Sequence, residues 1–131
     1  MAFVAYRATT FDLTGTNDIQ RGSTFVAIFQ VKDAAGNPQN LSEWVAYSAT
    51  PVCQFKTDYD PPGVTTGCPQ PTMSYLNGGV AGEIQMVIDA SATASASVSS
   101  GRYDIEIRYS STERTRVFEG AWTIDKEVTT S

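Results

Sequence analysis

The chain has 131 residues, one domain's worth, long enough to close a hydrophobic core without disulfides or metals. Hydrophobic residues make up 41% and charged residues only 18%, so the surface is built from Ser, Thr, Asn and Gln rather than ions. Fourteen acids against nine bases give −5, which excludes the basic face a nucleic-acid binder needs, and the absence of histidine removes the commonest general base and metal ligand.

Residues 1–10 form an apolar N-terminal arm with Phe3, Val4 and Tyr6, ahead of a globular unit over 11–126 and a tail over 127–131. The start lacks the basic and apolar regions of a signal peptide, and the longest strongly apolar run, residues 25–29, is too short to span a bilayer. A protein made in a cytoplasm, without membrane contact, is expected. An apolar arm gains most by adding a strand to a neighbour's open sheet edge.

Residues 23–31 alternate with period two: Phe25, Ala27, Phe29 and Val31 face one way, and Thr24, Val26, Ile28 and Gln30 the other. Residues 32–38 are a turn by composition. Asn40-Leu41-Ser42 matches a glycosylation sequon, which so short a pattern does by chance. Residues 45–55 then read as a strand, with Val45, Tyr47, Ala49, Cys53 and Phe55 on one parity and Pro51 placing it at an edge or bulge.

Residues 57–71 hold five Pro and Gly, with Pro71 closing the stretch as a sixth, and form the long loop of the chain. Asp58 and Asp60 within it offer oxygens to Ca²⁺ but lack an EF-hand's spacing and glycine, so they read as a solvated acidic loop and no metal is assigned. Cys53 precedes the loop and Cys68 lies within it, with a Pro/Gly-rich stretch between them. They are either two separate thiols or one bridge closing it, worth about 3 kcal/mol in the chain-entropy model.

Residues 73–76 form a short strand, Asn77-Gly78-Gly79 a hairpin turn, and residues 82–89 the return strand, with Ile84, Met86 and Ile88 inward. The Ala/Ser run over 89–98 is either a helix capped by Asp89 and ended by Gly101, or a low-complexity loop. Tyr103, Ile105, Ile107 and Tyr109 then alternate with Arg102, Asp104, Glu106 and Arg108. The charged set belongs on the wet side of the sheet, paired across strands with Arg114 or Arg116. The last strand, 114–124, places Phe118, Gly120, Trp122 and Ile124 on one parity.

About seven short strands with regular turn signals predict an all-β protein, an antiparallel β-sandwich. Gly101-Arg102-Tyr103-Asp104-Ile105 resembles the tyrosine-corner stretch of immunoglobulin-like domains. That resemblance implies a Tyr103 hydroxyl bonded to nearby backbone and a buried Ile105 where antibody domains carry cysteine. Trp44, Tyr47, Tyr59 and Tyr75 lie in or near loops, where Trp and Tyr serve as interface anchors; in the alternative reading, Trp44 and Trp122 fill the core.

No nucleophile elbow or histidine partner exists, so no catalytic residue or cofactor is assigned and the chain reads as non-enzymatic. The succession 19–25, 33–38, 40–44, 82–86, 101–106, 118–124 and 127–129 resembles small Ig-like structural proteins of tailed bacteriophages, particularly of marine and cyanobacterial phages. The resemblance implies a virion component: a capsid decoration protein, or an accessory subunit of tail, collar or baseplate. It would be present in many copies and bound to other virion proteins through the arm and the 57–71 loop. A carbohydrate-binding module, with Trp44, Tyr59 and Tyr75 stacking on sugar rings, is the competing class.

Overall fold

The computed structural model describes residues 9–33, 35–57, 64–108 and 114–125. Its strands are β1 (Thr9–Thr10), β2 (Ile19–Gln20), β3 (Phe25–Gln30), β4 (Val52–Lys56), β5 (Thr72–Tyr75), β6 (Glu83–Ile88), β7 (Ser100–Arg108) and β8 (Arg114–Asp125). Two helices join them, α1 (Ser42–Tyr47) and α2 (Ala90–Ser95). One sheet runs β3-β6-β5, all antiparallel. The other runs β1-β8-β7-β4, with β2 also on β8. β1 and β2 share one edge of β8, so the described residues fill seven strand positions in an all-β, two-sheet protein.

The sheets face each other over one core. Phe29 of β3 meets Phe118 and Tyr103 of the opposite sheet at ring-centroid distances of 5.0 and 6.3 Å. The alternation read from the sequence holds where it was cleanest: Ile84, Met86, Ile88, Tyr103, Ile105, Ile107, Trp122 and Ile124 are buried. In β8 the parity slips once. Ile105 pairs with Phe118 but Glu106 pairs with Arg116, so Val117 is the extra residue of a bulge and is buried beside Phe118. Tyr109 lies outside the described residues.

Two glycine–aromatic exchanges organise the β7–β8 pair. Gly101 stands opposite Trp122, and Gly120 opposite Tyr103. A Cβ on Gly101 would sit 1.9 Å from the Lys56 carbonyl oxygen and 2.9 Å from the Trp122 indole nitrogen. Its absence lets Trp122 Nε1 donate to that carbonyl at 3.1 Å. A Cβ on Gly120 would meet the Phe11 carbonyl oxygen at 2.3 Å, and the Tyr103 hydroxyl donates to that same oxygen. The expected tyrosine corner is therefore corrected in its partner: the hydroxyl reaches 92 positions upstream, to the segment lying along β8, rather than to nearby backbone.

That N-terminal edge is continuous. Phe11 and Leu13 donate to Glu119 and Ala121 at 2.8 Å each, and Thr123 donates to Leu13 at 3.0 Å. Pairing with β8 begins at Thr9, inside the stretch read as an arm. Phe3, Val4 and Tyr6 lie outside the described residues, as does the 127–131 tail.

Residues 45–55 are not one strand. Residues 42–47 form α1, because Leu41, Trp44 and Val45 follow the i, i+3, i+4 spacing of a helix face. Leu41 and Trp44 bury that face, and the Asn40 side-chain oxygen accepts from the Ser42 amide at 2.9 Å. The strand begins only after Pro51, as β4, at the sheet edge that proline implied. The hairpin between β5 and β6 turns at Asn77, Gly78 and Gly79, with φ of 51, 66 and 78°.

The Ala/Ser run does form a helix, α2, but Asp89 makes no side-chain cap and the helix ends at Ser95, before Gly101. Its anchor is Thr93, wholly buried. The Thr93 hydroxyl accepts from the Gly22 amide at 3.0 Å and lies within donating distance of the carbonyls of Ser23 (2.9 Å) and Ala90 (3.0 Å). Arg21 donates to the Ala96 carbonyl at 2.9 Å, so the turn before β3 is held both at the middle of α2 and at its C-terminal end.

Gly101→Ala is expected to cost about 3 kcal/mol, because the new methyl meets backbone that cannot yield cheaply. Trp122→Phe keeps most of the packing but removes the indole's bond to the Lys56 carbonyl, at about 1 kcal/mol. Urea unfolding measures both, and a neutral Gly101→Ala would show that the exchange is not close-packed.

Candidate interaction surface

The two outer faces of the sandwich differ in chemistry. On the β4-β7-β8 sheet the outward residues include Lys56, Arg102, Asp104, Glu106, Arg108, Arg116 and Glu119, a face of mixed charge. Arg116 pairs with Asp104 at 3.4 Å, the cross-strand pairing the sequence suggested. Both side chains are substantially exposed, so the pair contributes little stability.

The outer face of β3-β6-β5 is nearly uncharged. The registers place Val26, Val87 and Thr72 in one row and Ile28, Gln85 and Ser74 in the next. Gln30 and Glu83 close it, and Glu83 is the one charged residue in these rows. Val26 and Ile28 are 53% and 56% exposed. Adjacent exposed β-branched residues on a face almost free of charge mark a surface suited to a protein partner. The sequence already placed Val26 and Ile28 on the face away from Phe29. That their face stays uncovered depends on which strands neighbour them.

The sheet edges differ as much as the faces. At β4 the Gln70 side chain stands in for a neighbouring strand: its amide nitrogen donates to the Phe55 carbonyl at 2.8 Å and its oxygen accepts from the Phe55 amide at 3.2 Å. Val64 and Thr57 exchange two further bonds, Thr57 amide to Val64 carbonyl at 2.9 Å and Val64 amide to Thr57 hydroxyl at 3.0 Å. The Gly67 carbonyl accepts from Ser97 and Val98 at 3.0 Å each. The described half of the long loop thus covers the protein's own edge. Asp58, Tyr59 and Asp60 lie outside the described residues. β5 is four residues long and follows Pro71, which shortens the edge it offers.

β3 has no such guard among the described residues. Val31 donates to the Gly82 carbonyl at 2.8 Å, which puts the β6-facing bonds on the odd residues. The amides and carbonyls of Val26 and Ile28 therefore point away from β6, at an edge that no described strand pairs.

The aromatic residues expected to contact a partner do not gather. Trp44 is 4% exposed and belongs to the core, so its indole is not offered to a ligand. Trp122 is wholly buried, and Gly101, Tyr103 and Ile105 are buried with it. Tyr75 is half-buried on β5, its hydroxyl oxygen is shielded from solvent, and burial pushes its pKa up to about 12. Tyr47 at the end of α1 is exposed. Among the described residues no group of three or more His, Cys, Asp or Glu could hold a metal ion, and no helix is long and apolar enough to cross a membrane.

Cys53 and Cys68 are free thiols. Cys53 shares the core parity of Phe55 on β4, and burial, helped by Asp104, pushes its thiol well above the ordinary range. Cys68 lies in the loop with its thiol 3.6 Å from the Val64 carbonyl, raised by burial alone. Limited alkylation should therefore modify Cys68 before Cys53. Mass spectrometry reads the order, and a chain that takes up no label until reduced would instead carry the bridge.

Burial also raises the Asp104 carboxyl. Arg116 opposes that shift, Glu106 adds to it and Lys56 opposes it. A carboxyl whose pKa is higher in the folded chain stabilises the fold in its protonated form. That stability is complete below the unfolded pKa and is lost as pH rises through the folded one. Asp104→Asn is thus expected to raise the melting temperature at neutral pH, with the gain vanishing below about pH 4. An equal gain at both pH values would place the cause elsewhere.

No protein-family model matches the chain, and no curated protein sequence matches it.

Proposed function

We propose that this chain is a non-enzymatic structural subunit of a tailed-bacteriophage particle, a capsid decoration or accessory protein present in many copies and bound to other virion proteins. The observation that carries the reading is the contrast between faces: a charged outer sheet beside a nearly uncharged one whose Val26 and Ile28 stand exposed next to an edge that no described strand pairs. Such a surface buries against another protein at little desolvation cost, because it presents almost no charge to strip of water. The non-enzymatic part rests on the sequence, which has no histidine and no nucleophile motif.

An immunoglobulin-like topology is the finer reading of the fold. It is supported by strand order: three strands in the spatial order β3-β6-β5 face β4-β7-β8, and the N-terminal edge runs parallel to β8. This is the arrangement B-E-D against C-F-G with a split first strand beside G. The long loop enters the proposal with a reduced role, since residues 64–71 are spent on the protein's own β4 edge. The arm and the β3 side remain as contact elements. A tail, collar or baseplate adaptor is the variant of the same reading that would use the same surface.

Immunogold labelling of intact particles, with antibody to the recombinant chain, tests the reading. Gold over the capsid is expected. Gold confined to tail or baseplate would move the protein to the adaptor variant, and particles that contain no copy of the chain would overturn the virion assignment.

A further inference from the structure

The open edge of β3 and the segment before Thr9 point to one another across two molecules. We propose that residues 2–7 of one copy add as a strand to the β3 edge of a second copy, so that copies link head to tail. The inference rests on the reading of a multi-copy structural subunit and names the contact by which copies join.

Three observations carry it. The first is the edge itself. Phe25–Gln30 is a six-residue strand without charge, proline or bulge, and its outward amides at Val26 and Ile28 meet no described strand. Elsewhere the chain guards its edges: Gln70 covers β4, residues 9–20 cover β8, and β5 is short. An apolar edge that no described strand pairs is a site for strand addition.

The second is direction. Residues 9–20 and β3 run opposite ways on facing sheets. The Ser23 amide donates to the Gln20 carbonyl at 3.1 Å where the two segments turn into each other, and at the far end Phe11 meets Phe29 with centroids 5.8 Å apart. Traced back to Thr9, the described chain therefore heads toward the C-terminal end of β3, away from Val26 and Ile28. To reach its own β3 edge it would have to reverse. Residues 1–8 contain no Gly, Pro, Asn or Asp, the residues that make a tight reversal.

The third is length and composition. Eight residues precede Thr9, enough to lie along a six-residue strand. They carry Phe3, Val4 and Tyr6 and, among side chains, a single charge, Arg7. A second copy supplies this segment and the edge together, so the contact is heterologous and repeats.

Purified full-length chain tests the proposal without particles, so its failure is separate from a failure of the labelling experiment. Light scattering is expected to show multimers that grow with concentration. Val4→Pro/Ala5→Pro removes the donor's amides in either register, and Ile28→Pro removes an acceptor amide that makes no bond to β6. Each variant alone should run as a monomer. Mixed, they should form dimers and nothing longer, because one keeps the acceptor and the other keeps the donor. Val26→Lys, at an exposed side chain, repeats the acceptor test should the proline impair folding, which circular dichroism reads. A full-length chain that stays monomeric at every concentration would overturn the proposal. So would multimers that survive Val4→Pro/Ala5→Pro, the result expected if two β3 edges pair with each other, or a mixture that yields no dimer.

Discussion

The reciprocal exchange of glycine and aromatic between β7 and β8 is the constraint on which the larger sheet depends. Gly101-Arg102-Tyr103 runs antiparallel to Gly120-Ala121-Trp122, so each ring lies across from the other strand's glycine. A strand glycine normally weakens a sheet because it has no side chain to pack. Here the opposite ring supplies the packing, and the missing Cβ opens a path for a polar tip. Trp122 uses it to hold β4 through Lys56, and Tyr103 to hold the N-terminal edge through Phe11. One motif, written twice, fastens both flanks of the central hairpin. Phe55, stacked on Tyr103 at 5.4 Å and tilted on Trp122 at 5.5 Å, joins the two rings into one aromatic block.

Fastening both flanks fixes where the remaining edges lie. With residues 9–20 committed to β8, they are not free to pair with β3, and no described strand pairs that edge of the smaller sheet. With β4 held at its backbone by Trp122 on one side, its outer rim is left for Gln70. A glutamine amide sets an N–H donor beside a carbonyl acceptor at a spacing that satisfies a single extended residue. It blocks addition of a strand without itself extending the sheet. The β3 edge and the edge blocked by Gln70 therefore sit on opposite sheets of the same sandwich.

Alternation was legible in the sequence wherever one face is buried and the other wet, as in β6 and β7, because the period of two leaves no rival reading. It misled at residues 45–49, where Val45, Tyr47 and Ala49 satisfied parity while Leu41, Trp44 and Val45 satisfied a helical face; burial of Leu41 and Trp44 decided between them. The Gly-Arg-Tyr stretch was legible as a special site, but its partner was not, since nothing in the sequence ties Tyr103 to Phe11. Gln70 and Thr93 were silent for the same reason: each acts on backbone far away in the chain. The candidate surface was half legible. Val26 and Ile28 could be placed on the outer face, but not shown to lie at an unguarded edge.

Electrostatics bear on how such copies would meet. Each chain carries a net −5, so identical copies repel at long range. The charges on the larger sheet's outer face are mixed in sign and partly paired, and the strand facing a partner carries none. Repulsion therefore acts mainly on encounter and is screened beyond about 8 Å at physiological ionic strength. The contact itself is apolar side chains and backbone hydrogen bonds, which salt weakens little. Added salt should accelerate association of such an edge rather than dissolve it, the opposite of a contact built on the Asp104–Arg116 face.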